Sequence, residues 1–239
     1  MTNRMNPVPN GSPWDGKRII DLTVSLLIIV AGLPLIILIL FLAFISTGQF
    51  PIIFQQRKIS IGKKKINIAK IRTIKDCKDF NMIEKSCSEI FIKENYYKYV
   101  PLFCRWLRKT GLDEILQLIN VLKGEMSLAG PRPLLESELA IMKAHQPEFY
   151  NRRVKINSKP GITGLWQVYG NRLKGASNLV ELDGYYEKNK SLKLDVKIIL
   201  KTIFILITAD HSDAIDMGYN RSNGNEAVVN WKPTAEFYE

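Results

Sequence analysis

The sequence predicts a mostly helical protein with one small β-hairpin, a membrane-embedded helix-break-helix, and amphipathic helices lying at the interface beside a soluble domain. Three observations predict it. Leu22 to Ile45 is a run of 24 residues without a charge, with Gly32-Leu33-Pro34 near its middle. Two short apolar or alternating segments, Pro51–Phe54 and Lys65–Lys70, flank a turn at Gly62. Beyond them apolar residues recur at helical spacing, and a second apolar stretch, 192–209, carries its charges at one end.

Composition bounds the function. The chain has 239 residues, 46% hydrophobic and 24% charged, which excludes global disorder and collagen-like repeats. Lys and Arg number 34 against 23 Asp and Glu, and the net charge of +11 calls for an anionic partner: nucleic acid, a phosphorylated substrate or acidic lipid. Three scattered cysteines (Cys77, Cys87, Cys104) form no CxxC and suit a reducing compartment. Two histidines, His145 and His211, build no His-rich metal site, so catalysis falls to carboxylates, hydroxyls or a bound ion.

The elements follow in order. Residues 1–16 read as a tail and 17–48 as the membrane element. A straight helix over Leu22–Ile45 is roughly 36 Å long, enough for a ~30 Å hydrocarbon core. Pro34 removes a helical hydrogen bond and crowds the preceding turn, dividing the run into halves of about 18 Å, neither of which crosses alone. Both flanks are basic, Lys17 and Arg18 before the run and Arg57 through Lys78 after it, and positive residues mark the cytoplasmic side. A spanning helix and a helix that bends at Pro34 and leaves by the face it entered both remain open on this evidence.

Residues 49–209 make the soluble domain. After the hairpin, 76–100 reads as a peripheral helix and loop. Thr110 is placed to cap a helix in which Ile115, Leu118, Ile119 and Leu122 form the buried stripe and Gly124 the stop. Asp113 and Glu114 then fall in its first turn, where acids favour the helix dipole without further purpose. Their surroundings suggest more. Arg105, Arg108 and Lys109 precede them, and Arg132 stands between Pro131 and Pro133, which fix the backbone around one guanidinium able to hold a phosphate bidentately. Acids ringed by arginines suit phosphoryl transfer, the carboxylates attacking or holding Mg²⁺. Trp166 reads as packing a loop onto the core. Residues 210–239 turn polar and acidic, a loosely held tail.

The motifs carry a resemblance. Lys17-Arg18-Ile-Ile-Asp21, Lys70-Ile-Arg72-Thr73, Arg108-Lys-Thr-Gly-Leu-Asp113-Glu114, Gln117-Leu-Ile-Asn120, Gly124-Glu-Met-Ser127, Gly130-Pro-Arg-Pro133, Lys159-Pro-Gly-Ile-Thr-Gly-Leu-Trp-Gln-Val168 and Leu194-Asp195 stand in family order. Together the chain resembles the bacterial sugar transferases, in particular the small monotopic phosphoglycosyl transferases, over about residues 17–209. The resemblance implies transfer of a sugar 1-phosphate from a UDP-sugar to a polyprenyl (undecaprenyl) phosphate, releasing UMP and needing Mg²⁺, at the start of surface glycan assembly. It implies Asp113 as nucleophile and Glu114 as its partner, both near the metal. Arg132 would bind phosphate, with Arg108, Lys70 and Arg72 as further phosphate contacts. The hairpin bearing Lys17, Arg18 and Pro34 would be re-entrant, in the bacterial inner membrane with the catalytic domain on the cytoplasmic face. Departures are Leu33 for the usual serine before the proline, Asp113-Glu-Ile-Leu116 for Asp-Glu-Leu-Pro, and Lys70-Ile-Arg72 for Lys-Phe-Arg.

The expected partners are therefore UDP-sugar, polyprenyl phosphate and membrane lipid, with no nucleic acid; a homodimer stays open. Two rival classes remain: a membrane-tethered adaptor without chemistry, which leaves the acid pair unexplained, and an ordinary glycosyl transferase that releases UDP from the same donor.

Overall fold

The computed structural model of the chain describes residues 13–58, 65–75, 100–171 and 175–208, with side chains from residue 16 onward. The tail expected before residue 13, the Gly62 turn, nearly all of the helix and loop expected over 76–100, and the acidic tail from 210 lie outside the described residues.

The first helix, α1 (Pro13–Thr47), is one uninterrupted helix of 35 residues with Pro34 inside it. It begins four residues before the expected boundary at Lys17, and its helical hydrogen bonding resumes on both sides of the proline, so the expected two separate halves are joined. By length and composition it is able to cross a membrane. Leu26, Leu27, Val30, Leu33, Leu35, Ile37, Phe41 and Ile45 are all exposed along it. A water-soluble helix would hide that surface.

Both ends of α1 nevertheless pack on the strands and helices that follow it. Near its start Val24 and Ile29 join a cluster of Ile66, Ile68, Leu118, Val121, Met126 and Leu128. Toward its end Ile39 and Ala43 close on Ile71 and Leu107. Arg18 donates to the carbonyls of Val121 and Leu122 at 2.6 and 3.0 Å, and Asp21 accepts from Ser127 Oγ and Leu128 N.

The expected hairpin forms. Strands β1 (Ile52–Lys58) and β2 (Ile66–Ile71) pair antiparallel, with Phe54 opposite Ala69 and Ile53 opposite Lys70. Helix α2 (Leu102–Thr110) ends at Gly111, whose φ of 75° is the left-handed conformation that favours glycine at a helix end. A 3-10 helix (Leu112–Gln117) and the five-residue α3 (Leu118–Leu122) follow. The sequence reading needs adjustment here: Thr110 ends the preceding helix, its one O–H shared between the carbonyls of Trp106 and Leu107, while its oxygen also accepts from the Leu112 amide at 3.4 Å and Gly111 takes the cap position of the next helix. Because a 3-10 helix turns every three residues instead of 3.6, the expected stripe slips out of phase. Ile119 is exposed, while Gln117, Leu118, Asn120 and Val121 are buried. Gly124, at φ 81°, is the stop as expected.

Strand β3 (Ser127–Ala129) leads into the Gly130–Pro133 loop and then β4 (Leu134–Leu135), which joins the hairpin in the order β2-β1-β4. After α4 (Glu136–His145) and α5 (Pro147–Arg153), β5 (Gly161–Thr163) pairs parallel with β3. Helices α6 (Leu165–Tyr169), α7 (Gly175–Asn189) and α8 (Leu192–Thr208) complete the chain. The main core lies among α4, α6, α7 and α8 around fully buried Trp166, Leu139, Met142, Leu179 and Tyr186. Helix α8 buries Leu194, Ile198 and Ile205 and exposes Leu200, Ile203, Phe204 and Ile207, so it is apolar on both its packed and its open face.

Candidate active site

The acid pair is held by a lysine from the hairpin. Alternation along β2 turns Lys70 toward the 3-10 helix, where its Nζ lies 2.9 Å from Asp113 Oδ2 and 2.9 Å from Glu114 Oε1. Asp113 is 3% exposed. Burial by itself lowers the pKa of the Lys70 ammonium, but the two carboxylates outweigh it and hold it above the usual lysine value. The ammonium is therefore charged at any physiological pH. Arg108 and Arg57 oppose it, acting on Lys70 as like charges. Arg108, one turn before Gly111, donates to Thr73 Oγ1 at 3.1 Å, just beyond Lys70's strand.

Two further carriers of charge from the sequence reading take different places. Arg72 donates to the carbonyl of Phe50 and to Gln49 Oε1, tying the hairpin to the segment that leaves α1. Arg132 lies on the β3–β4 loop, joined to Lys70's strand through β1. Lys17 donates to Asp195 Oδ2 at 2.6 Å and to the carbonyl of Ala129, immediately before that loop. Tyr186 donates to Asp195 Oδ1 at 2.7 Å; burial first, and then the Asp195 charge, push its hydroxyl above the usual tyrosine range and keep it protonated.

The Arg132 loop is built by groups that sequence reading missed. Arg153, with no exposed side-chain surface, forms a buried ion pair with Asp183 and donates to the carbonyl of Arg132. Asp183 also accepts from the Arg132 amide at 3.2 Å. One arginine–carboxylate pair thus grips both sides of the same residue's backbone. From the hairpin, buried Arg57 donates to the carbonyl of Pro133 at 3.2 Å. The backbones of Gly130, Gly161 and Gly164 meet so closely that a Cβ on any of them would strike a backbone atom of another, which explains the glycines in this pair of motifs. The signal in the sequence was there only as charged residues outside the motifs, at 57, 153 and 183.

Cys104 is buried and reduced, and burial first, reinforced by Asp113, pushes its thiol up to about 11, so it is not a reactive nucleophile. Among the described residues no group of three or more His, Cys, Asp or Glu gathers to hold a metal. A protein-enclosed metal site is thus absent from the described residues. Magnesium usually takes one or two carboxylates and completes its shell with substrate phosphates and water. Lys70 engages one oxygen of each acid, and the Asp113–Glu114 pair fits that minimal donor set.

Comparison with known proteins gives a consistent result. The profile of the bacterial sugar transferase family matches residues 13–209. The chain is 34% identical over 201 residues to the exopolysaccharide production protein ExoY of Sinorhizobium fredii, covering 78% of this chain and 83% of that one. It is 32% identical to a UDP-glucose:undecaprenyl-phosphate glucose-1-phosphate transferase of Caulobacter vibrioides, covering 86% of this chain and 75% of that protein. An undecaprenyl-phosphate galactose phosphotransferase of Salmonella typhimurium is 31% identical over 81% of this chain, which spans only 41% of that longer protein.

Proposed function

The chain belongs to the bacterial sugar transferase family, and we propose that it transfers a sugar 1-phosphate from a UDP-sugar to undecaprenyl phosphate through a covalent intermediate on Asp113. The observation that carries this reading is the buried Lys70–Asp113–Glu114 group. Lys70 holds an Asp113 oxygen at 2.9 Å and orients the carboxylate that would attack. An Asp113 oxygen attacks the β-phosphorus, and the bond between that phosphorus and the bridging oxygen of UMP breaks. UMP leaves with the electron pair, and the sugar phosphate remains as an acyl phosphate. A phosphate oxygen of the lipid then attacks the same phosphorus, restoring the carboxylate and giving a polyprenyl diphosphate sugar. Two displacements let a water-soluble donor and a membrane acceptor use the site in turn.

Arg132, whose backbone is gripped from both sides, binds a phosphate of the donor, and Arg108 counters charge that develops beside the acid pair. Glu114 partners Asp113 and shares its lysine. Bound magnesium, held by Asp113 and Glu114, would supply charge neutralisation of the diphosphate.

The membrane helix is read as re-entrant. Support comes from its two ends, since Arg18 and Asp21 on one side and Ile39 and Ala43 on the other pack on a single domain, which a helix crossing the bilayer would hold apart. The catalytic domain then lies on the cytoplasmic face, where UDP-sugars are made. A panel of UDP-sugars assayed with undecaprenyl phosphate tests the activity. Release of UMP supports it; release of UDP identifies an ordinary glycosyl transferase, and no turnover favours an adaptor.

A further inference from the structure

Beside the start of α1 a cavity of about 300 Å³ opens, and its lining includes Lys17, Arg18, Asp21, Ser127, Lys159 and Lys190. None of Lys70, Asp113, Glu114 and Arg132 lines it. Its charges are unevenly matched. Lys17 is paired with Asp195 at 2.6 Å, and Lys190 with Glu187 at 2.9 Å. Asp21 accepts from two neutral donors, Ser127 and Leu128. Arg18 donates to two neutral carbonyls, so its positive charge meets no carboxylate through those bonds. Lys159 is exposed and makes no hydrogen bond or ion pair among the described residues. A side chain begun on Gly124 would lie 3.4 Å from Arg18 Nη2 and 4.0 Å from Lys159 Nζ, so the two cations face one small volume. Asp21 offsets one of these two cations and the other is unmatched, so the lining carries a net positive charge that attracts an anion into the cavity.

We propose that this cavity is a second phosphate site, distinct from the acid-pair site, in which Arg18 and Lys159 hold the phosphate of an anionic lipid headgroup. Its position argues for lipid. The next residues of α1 include Ile19, Leu26 and Leu27, which are exposed and apolar, so acyl chains have a surface to lie on directly beside the charged cavity. The site requires no chemistry at Asp113, and its test reads binding alone.

The melting temperature of the full chain in detergent is measured against inorganic phosphate, short-chain phosphatidylglycerol and short-chain phosphatidylcholine. Phosphatidylglycerol is expected to raise it saturably, with phosphatidylcholine weaker because its choline cation offsets the phosphate. Lys159→Glu should shift half-saturation roughly fivefold or more, equivalent to about 1 kcal/mol. Lys159→Arg should stay within about twofold, and Lys123→Glu, an exposed charge that does not line the cavity, should match the parent. The unliganded melts show whether each variant folds. Inorganic phosphate saturating as tightly as phosphatidylglycerol would overturn the lipid assignment. Equal action of the two lipids, or an unchanged response in Lys159→Glu, would overturn the site itself.

Discussion

Replacing Lys70 by methionine keeps most of the aliphatic stem and removes the ammonium that two carboxylates share. In the parent, Asp113 and Glu114 raise the Lys70 pKa against the opposing effect of burial. A lysine whose folded value is raised contributes stability in full below the unfolded value of 10.5, and loses it only as pH climbs through the folded one. Between pH 5 and 8 that contribution is constant. In the variant, two adjacent carboxylates confront each other with side chains only 5% and 12% exposed. Breaking a buried pair costs about 3–5 kcal/mol, and the residual exposure favours the lower figure. At about 2–4 °C per kcal/mol for a protein of this size, the melting temperature at pH 8 falls by about 6–12 °C. The two carboxylates repel each other only while both are charged, so acidification to pH 5 returns part of the loss. Glu136 provides the contrast: hydrogen bonds from Lys58 and Lys65 hold it at about 2, so whatever it contributes is present above 4.5 and lost as pH falls toward 2. A gain in stability on going from pH 8 to pH 5, seen in Lys70→Met and not in the parent, is the signature, read from melts in detergent. Parent-like melting of Lys70→Met at both pH values would refute the claim that Lys70 compensates the acid pair.

Other consequences are as specific. Arg132→Lys keeps the charge but loses the bidentate fork, and turnover should drop at least about tenfold, or about 1.4 kcal/mol; activity within twofold of the parent would make Arg132 peripheral. Arg153→Lys cannot reach both Asp183 and the Arg132 carbonyl, so it should lower the melting temperature and raise KM for the UDP-sugar together; a lowered melting temperature with parent KM would limit the ion pair to a structural role. With the three native cysteines replaced, single cysteines at Thr2 and Lys65 should label from the same, cytoplasmic side in intact cells. Pro34→Ala should shift the residue 2 label toward the periplasm, and periplasmic labelling at residue 2 in the parent would restore a spanning helix.

What the sequence revealed depended on how local the cause was. The hairpin was legible because period-2 alternation and a glycine turn are short-range signals, and Lys70 fell on β2 as read. The apolar run, Trp166 and the 192–208 helix were legible from bulk hydrophobicity. The acid pair and Arg132 stood out as chemistry without an obvious structural purpose. The 3-10 helix was not legible, since Thr110 caps a helix as plausibly as it ends one, and the choice was made by Gly111 turning left-handed. Ile119 misled for the same reason, its phase set by a turn of three. The Arg153–Asp183 grip joins residues 30 apart on two helices whose charges look like ordinary solvated faces, and only the folded chain brings them to Arg132. Likewise β3 and β5 are three residues each, too short to announce their parallel pairing. Pro34 left a spanning helix and a bent one both open, and a single helix, α1, contains it.

The central claim is that Asp113 attacks the donor. Incubating the purified chain with labelled UDP-sugar and Mg²⁺, without lipid acceptor, should release UMP and leave labelled sugar phosphate on the protein, located by mass spectrometry on the peptide containing Asp113. Asp113→Asn keeps the shape and removes the attacking charge, so both signals should vanish. If Asp113 served only the turn that follows Gly111, asparagine would cost a few tenths of a kcal/mol up to about 1 in stability and leave turnover intact. Full activity of Asp113→Asn, in a preparation free of parent enzyme, would contradict the covalent mechanism.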